Sequence, residues 1–199
     1  MPREPVAIHT KTVGRGQPVF IVAEAGSNHT GNLEIALKLV DAAADAQADA
    51  IKFQTFKAAR LYPRGAGVSG YLGVATPIYD IIESMEMPVE WLGALQSRAH
   101  ERGLAFISSP FHEEAVDVLL PYVDAYKIAS YELTHTPLLE AVARTGKPLL
   151  VSTGAATLDE VRAAERRTQR FSATRIEDVA VSEDETVEIP GQQTIYRCS

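Results

Sequence analysis

The chain has 199 residues, of which 46% are hydrophobic, with 19 lysines and arginines against 26 aspartates and glutamates. This length and apolar content are typical of a globular protein with its own core and exclude a mainly disordered chain. The net charge of -7 argues against a nucleic-acid-binding protein, which usually presents a basic face. The single cysteine, Cys198, and the lack of any apolar run near 18 residues exclude a disulfide framework and a membrane span. We therefore expect a cytoplasmic protein that works without a membrane or nucleic acid.

Strand and helix patterns alternate along the chain from residue 17 to residue 169. Five apolar runs have the length of strands, and they occupy residues 18–23, 50–55, 104–109, 125–130 and 148–153. Their apolar residues are continuous, which is typical of parallel strands buried on both faces. Helical patterns occupy 33–44, 91–99 and 136–146, and a capping box from Thr157 to Glu160 opens another helix. Five βα units in a row predict an α/β fold with a parallel sheet, either open or closed into a barrel.

Two segments depart from this alternation. The connection over residues 57–87 is long and carries glycine and proline, so we interpret it as a functional flap. Its residues 65–70 match G-x-G-x-x-G, but no strand precedes them, and a dinucleotide site is therefore disfavoured. Residues 170–199 form a polar tail with a weak hairpin pattern, which does not look like another βα unit. We therefore expect a barrel portion over 1–169 and a separate tail over 170–199.

The polar residues of the five runs lie near their carboxyl ends, where α/β sheets and barrels bind ligands. The candidate site residues, in chain order, are Glu24, Lys52, Gln54, Ser109, Lys127, Ser130, Ser152, Thr153 and Gly154. Two lysines inside buried strands are costly unless they face anions. This pattern predicts a site for a phosphorylated or carboxylated ligand.

Structural roles for the same residues stay open at this point. Either lysine alone could pair with a structural carboxylate, and serines and threonines at strand ends often serve turns and caps. His29 could equally be a hydrogen-bonded core histidine. The other four histidines, His9, His100, His112 and His135, share no metal-ligand spacing, so we expect them in loops or on the surface.

Five motifs occur in one order and carry a resemblance to a known family. They are IVAEAGSNHTG at 21–31, IKFQT at 51–55, FISSPF at 106–111, YKIAS at 126–130 and VSTG at 151–154. From about residue 5 to residue 165 the chain resembles the sialic acid synthase family, which includes the N-acetylneuraminate, pseudaminic acid and legionaminic acid synthases.

The resemblance implies a (β/α)8 TIM-type barrel that condenses phosphoenolpyruvate with an N-acetylated amino sugar and releases phosphate. It implies that Lys52, Ser109, Lys127, Ser130 and Ser152 hold the anionic groups of phosphoenolpyruvate, with Thr153 and Gly154 beside them. Glu24 and Gln54 would contact the sugar. It also implies a divalent metal, manganese or magnesium, acting as a Lewis acid, and a homodimer in the full-length family.

The chain departs from the family pattern in two respects that matter. Gln47 stands where the family usually has a glycine after the second helix. The family's metal-binding histidines lie on further βα units that the motifs here do not include, so we expect the metal ligands to be absent from this chain. A truncated, non-catalytic fragment that at most binds phosphoenolpyruvate or phosphate therefore stays open as an alternative, as does another barrel synthase that uses phosphoenolpyruvate.

Overall fold

Six parallel strands, paired in the order of the chain, form the sheet on which the rest of the protein packs. The computed structural model describes residues 5–14, 16–68, 75–169 and 176–178. The strands are β1 (Val6–Ile8), β2 (Lys11–Val13), β3 (Val22–Gly26), β4 (Ala50–Thr55), β5 (Ala105–Pro110), β6 (Ala125–Ile128), β7 (Leu149–Val151) and β8 (Ile176–Asp178). The helices are α1 (Leu33–Asp45), α2 (Ala58–Leu61), α3 (Ile78–Ser84), α4 (Leu92–Glu101), α5 (Glu113–Leu119), α6 (Thr136–Arg144) and α7 (Leu158–Gln169). Strands β3 to β8 make the sheet, and β1 pairs with β2 as a separate antiparallel hairpin.

The βα alternation confirms the expected α/β fold class. Helices connect successive parallel strands from β3 to β8, as in the wall of a (β/α) barrel. Among the described residues, no helix combines the length and the hydropathy that a membrane crossing requires.

The elements differ from the sequence expectations in three places. The first sheet strand is β3, four residues later than predicted, and Glu24 therefore lies within this strand. The β1–β2 hairpin was not predicted, because each of its strands has only three residues. Residues 176–178 form β8 beside β7, so the chain after residue 169 contributes one more strand to the sheet. The hairpin expected over residues 186–196 lies outside the described residues.

Alternation along the strands separates two apolar cores. Odd-numbered residues of β4 and even-numbered residues of β5 and β6, such as Phe53, Phe106 and Tyr126, pack against the helices. The opposite face carries a smaller cluster, in which the alanines of three strands meet residues from the N-terminal segment. Its buried members are Ile8, Phe20, Ala50, Ala105, Ile107 and Ala125. Apolar side chains thus cover the inner face of the sheet at the amino-terminal ends of the strands.

Helix termini follow the sequence signals closely. Asn32 caps α1 by accepting hydrogen bonds from the backbone N–H groups of Glu34 and Ile35 at 2.8 and 3.2 Å. The predicted capping box is confirmed, because the backbone N–H of Thr157 donates to Glu160 Oε2 at 2.7 Å. The backbone N–H of Glu160 donates in turn to Thr157 Oγ1 at 3.4 Å.

The long connection over residues 57–87 is anchored at both ends. Glu86 accepts hydrogen bonds from Lys57 Nζ and from the backbone N–H of Ala58, both at 2.7 Å. The Arg64 guanidinium lies 4.4 Å from the centre of the buried Tyr79 ring. Helices α2 and α3 lie within this segment, so its described part is a folded insertion beside the carboxyl ends of the strands.

The residue that follows the C-terminal cap of α1 is held in the left-handed region. Gln47 has a φ of 61°, and Ala46 before it has a φ of -78°. A side chain at positive φ costs about 1 kcal/mol, which glycine avoids. Gln47→Gly should therefore raise the free energy of unfolding by about 1 kcal/mol, measured by urea denaturation.

Ala46→Gly is the matched control for this prediction. Its φ is negative, so glycine there only adds freedom to the unfolded chain and should lower stability by about 0.5–1 kcal/mol. Equal effects of the two substitutions would contradict the argument.

Candidate functional site

The inner face of the barrel wall changes from apolar to polar toward the carboxyl ends of its strands. Alternate residues place Lys52 and Gln54 beyond Ala50 on β4, and Ser109 beyond Ile107 on β5. The pairing register sets Glu24 beside Lys52, and Gln54 beside Ser109. The structure therefore brings these sequence-predicted residues onto one surface of the sheet.

An ion pair between Lys52 and Glu24 forms the centre of this surface. Lys52 is buried, and its Nζ contacts Glu24 Oε2. The other carboxylate oxygen, Oε1, is buried without a hydrogen-bond partner among the described residues. Gly26 has a φ of 56°, and a Cβ there would lie 3.2 Å from this oxygen. Glycine at this position therefore leaves room for the Glu24 carboxylate.

Lys127 supplies a second ammonium to the same surface. Burial and, to a smaller extent, the charge of Lys52 lower the pKa of Lys127 to about 8. Glu24 and Glu132 partly oppose this shift, which places all four groups within electrostatic reach of one another. An anion bound between the two ammonium groups would relieve their repulsion.

The two adjacent serines of β5 have different roles. Ser108 faces the helices, and its hydroxyl lies 2.9 Å from Thr55 Oγ1 in a buried pair. Ser109 faces inward, and its Oγ is buried without a hydrogen-bond partner among the described residues. A buried hydroxyl without a partner is costly, so Ser109 is arranged for an acceptor that binds there.

The remaining predicted residues lie at the ends of β6 and β7. Ser130 begins a 3₁₀ turn two residues after β6 ends, and Ser152 directly follows β7. The backbone N–H of Ser152 donates to the Ile128 carbonyl at 3.1 Å, which fixes this end beside β6. Thr153 and the exposed Gly154 lie in the turn that leads to α7.

Glu132 had no sequence signal, and the structure adds it to the candidate site. Its carboxyl is partly buried, and burial raises its pKa above the usual range. Its Oε2 is buried without a partner in the described part of the chain. A carboxyl group held near Lys127 with a raised pKa is a candidate proton donor or acceptor.

His29 has a structural role in the loop after β3. It is fully buried, and its Nδ1 accepts the backbone N–H of Gly31 at 3.1 Å. Its ring lies 5.5 Å from the Trp91 ring, edge to face. Burial lowers the pKa of His29, so the imidazole is neutral at neutral pH. His29 is thus a buried histidine that is hydrogen-bonded through Nδ1, while its Nε2 is buried without a partner among the described residues.

The lysine surface does not fit a divalent metal. Glu24 is already paired with Lys52, and two ammonium groups repel a cation. In residues 5–14, 16–68, 75–169 and 176–178, three metal-ligating groups converge only at His9, His100 and Asp124, at the amino-terminal ends of the strands. His9 lies in an exposed turn, as expected, and the fold brings it together with His100 although the two residues are 91 positions apart in the chain.

A family model and individual relatives both match most of this chain. A family model described as the NeuB family matches residues 39–181, which extends beyond the limit we expected from the motifs. The spore coat polysaccharide biosynthesis protein SpsE of Bacillus subtilis is 45% identical over 161 residues, which cover 80% of this chain and 43% of that protein. The N,N'-diacetyllegionaminic acid synthase of Legionella pneumophila is 36% identical over 176 residues, 86% of this chain and 49% of that protein. The chain thus spans less than half the length of these relatives.

Solved structures support the barrel assignment. The N-acetylneuraminic acid synthetase of Leptospira borgpetersenii, in complex with citrate, matches with a TM-score of 0.77 and 28% identity over 90% of this chain and 60% of that one. A truncated 3-deoxy-D-arabino-heptulosonate 7-phosphate synthase of Thermotoga maritima matches with a TM-score of 0.65 over 89% of this chain and 56% of that one. Its identity of 13% shows a likeness of fold alone. The sheet therefore belongs to a TIM-barrel type fold.

The pKa of Lys127 predicts how anion binding depends on pH. Only the ammonium form attracts an anion, and with a pKa of about 8 its population falls about tenfold between pH 7 and pH 9. Sulfate, which does not titrate in this range, should therefore bind about tenfold more weakly at pH 9, measured by calorimetry. Lys127→Arg should remove this dependence, because arginine stays charged.

Lys38→Arg, at an exposed position on α1, is the control and should keep the wild-type profile. An unchanged pH dependence in Lys127→Arg would assign the titration to another group.

Proposed function

Because this chain belongs to the NeuB family, we propose that its lysine surface binds phosphoenolpyruvate for condensation with an N-acetylated amino sugar of the N-acetylmannosamine type. The products would be a nonulosonic acid and inorganic phosphate. The family membership rests on the model match over residues 39–181, and relatives of this chain are named acid synthases.

One observation carries the proposal, namely two ammonium groups on one buried polar surface that is otherwise incompletely paired. Lys52 and Lys127 lie on adjacent regions of the inner face, and Ser109 offers a buried hydroxyl without a partner. Phosphoenolpyruvate carries a phosphate and a carboxylate, so it has two anionic groups for two cations. Charge-assisted hydrogen bonds to these groups are the strong kind.

The chemistry needs one carbon–carbon bond and one proton transfer at the sugar. The C3 carbon of phosphoenolpyruvate attacks the aldehyde carbon of the open-chain sugar, whose oxygen takes up a proton. Water adds to the cation left at C2 and loses a proton. In the resulting hemiketal phosphate the C2–O bond to phosphate breaks as the C2 hydroxyl becomes a carbonyl, and the hydroxyl proton leaves with the inorganic phosphate.

We assign the roles of the chain's own residues from this sequence of steps. Lys52, Lys127, Ser109, Ser130 and Ser152, with the turn at Thr153 and Gly154, would hold the two anionic groups. Glu24 and Gln54 would bind sugar hydroxyls beside them, and Glu24 has a carboxylate oxygen free to do so. Glu132, whose pKa is raised by burial, would exchange the proton.

No step is assigned to a metal ion here. The family resemblance implies manganese or magnesium, but the groups on the lysine surface do not fit such an ion. We therefore expect the 199-residue chain to bind phosphoenolpyruvate while releasing phosphate from it only near the background rate.

Removing either ammonium group tests the anion site. Lys127→Met should weaken phosphoenolpyruvate binding by about 10- to 100-fold in calorimetry, since a charge-assisted hydrogen bond contributes about 1.5–3 kcal/mol. Lys52→Met should do the same, and it is best made together with Glu24→Gln so that no carboxylate is left unpaired.

Lys38→Met removes an exposed lysine and should change the affinity little. Thermal unfolding of every variant separates loss of binding from loss of fold. Wild-type affinity in a folded Lys127→Met protein would refute the anion site.

Glu24→Gln tests the proposed contact between Glu24 and the sugar hydroxyls. The substitution leaves Lys52 and Lys127 in place, so phosphoenolpyruvate should bind at least as tightly as in the wild type. In a chimera that joins residues 1–169 to the remainder of the Bacillus subtilis relative, the same change should lower phosphate release that depends on N-acetylmannosamine. Assays include manganese and a control without sugar. An equal loss of phosphoenolpyruvate affinity would make the role of Glu24 structural.

A further inference from the structure

Three metal-ligating side chains from distant segments meet at the amino-terminal ends of the strands. His9 lies in the turn of the β1–β2 hairpin, His100 in the last turn of α4, and Asp124 directly before β6. Each offers one ligand atom, and these atoms all lie within 4.8 Å of one another. This end of the sheet is opposite to the end that carries Ser109 and Ser130, so the group is separate from the lysine surface.

The Asp124 carboxylate is the fixed part of this group. Its Oδ2 accepts the backbone N–H of Phe106 at 2.8 Å, which anchors it to β5. His100 Nε2 lies 2.8 Å from the same oxygen. His9 Nδ1 lies 3.7 Å from Oδ1, beyond hydrogen-bond distance. The hydrogen bond from Phe106 and the contact with His100 thus fix Oδ2, while Oδ1 faces His9 without a hydrogen bond.

The separations suit a small cation. Zinc binds histidine nitrogens and carboxylate oxygens at about 2.0–2.2 Å, which in a tetrahedral site puts neighbouring ligand atoms about 3.4 Å apart. The distance from His100 Nε2 to Oδ2 is 2.8 Å and that from His9 Nδ1 to Oδ1 is 3.7 Å, so each nitrogen lies near a different oxygen of the carboxylate. Asp124 also has the backbone hydrogen bond that typically orients a metal-binding carboxylate.

The two imidazole rings must turn slightly to share an ion. They are stacked with centroids 4.2 Å apart and planes inclined by 12°, whereas a metal lies in the plane of each ring that binds it. Their side chains are 24% and 31% exposed, and rotation about the Cβ–Cγ bonds toward a shared ion would separate the stacked rings. The neutral imidazole of His100 would carry its hydrogen on Nδ1 when Nε2 binds the ion, so Nε2 exchanges its contact with Asp124 Oδ2 for the metal.

We propose that His9, His100 and Asp124 form a binding site for a divalent transition metal ion of the zinc type, with a water molecule as fourth ligand. Ions of the zinc type bind two imidazoles and one carboxylate well, whereas magnesium and calcium prefer oxygen ligands. The ion crosslinks the N-terminal hairpin, α4 and the start of β6. Its effect is structural, because Ile8, beside His9, belongs to the cluster that fills the barrel interior.

Zinc binding by the 199-residue chain tests the proposal. The protein is prepared in a Cys198→Ser background with its affinity tag removed, because thiols and tag histidines bind zinc. Calorimetry at pH 7.5 should find one equivalent of zinc. At a free zinc concentration 100 times the dissociation constant, the unfolding equilibrium should shift about 100-fold toward the folded state, seen as a rise in melting temperature.

Two variants locate the site. His9→Asn keeps a residue that tolerates the φ of 50° at this position, and His100→Gln removes the second imidazole. Each should weaken zinc binding at least about tenfold and reduce the zinc-dependent rise in melting temperature. His135→Gln is the matched control, because His135 pairs with Glu113 at 3.5 Å without a third ligand, and it should bind zinc like the wild type.

Bound cobalt gives an independent readout. A cobalt(II) ion in the site should show the visible absorption of a four- or five-coordinate complex in the wild type and not in His9→Asn. Absence of a stoichiometric zinc equivalent in the wild type would overturn the proposal. Wild-type zinc affinity in both folded variants would overturn it as well, and would leave a purely hydrogen-bonded contact between the hairpin and the barrel.

Discussion

The alternation of side chains along the parallel strands β3 to β7 gives each of them one helix-facing surface and one inner surface. On the inner surface the alanines at 50, 105 and 125 are small enough to admit Phe20 and Ile8 from the N-terminal segment. Farther along the same strands, the next inward positions carry Lys52 and Lys127. The two-residue repeat of the strands therefore places an apolar layer directly beside the charged one. Electrostatic interactions of the lysines are stronger next to such a layer than in water.

The charged layer is costly for the protein alone. Burial lowers the pKa of Lys127 to about 8, the nearby Lys52 adds to the shift, and Glu24 compensates by pairing with Lys52. Ser109, Glu24 and Glu132 each keep a buried oxygen without a partner among the described residues. Unsatisfied groups of this kind concentrate where a protein binds ligands rather than where it packs. The inner surface therefore has two ammonium groups and several unpaired oxygens, which is the pattern of a candidate binding surface for an anion.

Short sequence patterns were sufficient to predict most of the individual strands and helices. β4 has the predicted bounds, and Thr157 and Glu160 make the capping-box contacts that their spacing indicates. The first sheet strand was displaced, because residues 18–21 have strand-like composition while their hydrogen bonds to the sheet come from Ile21, at residues 49 and 50. β8 was missed because its three residues carry no pattern, and their parallel pairing with β7 defines the strand.

The sequence by itself determined the βα alternation, the helix caps and the set of polar residues near the strand ends, because these depend on neighbours within a few positions along the chain. The tertiary structure decided which of those residues share a surface and what each faces. It separated Ser109 from Ser108, added Glu132 to the lysines, and gave His29 to the core. It also joined His9 and His100 to Asp124. These outcomes depend on strand register and on contacts between distant segments, and no spacing along the chain encodes such contacts.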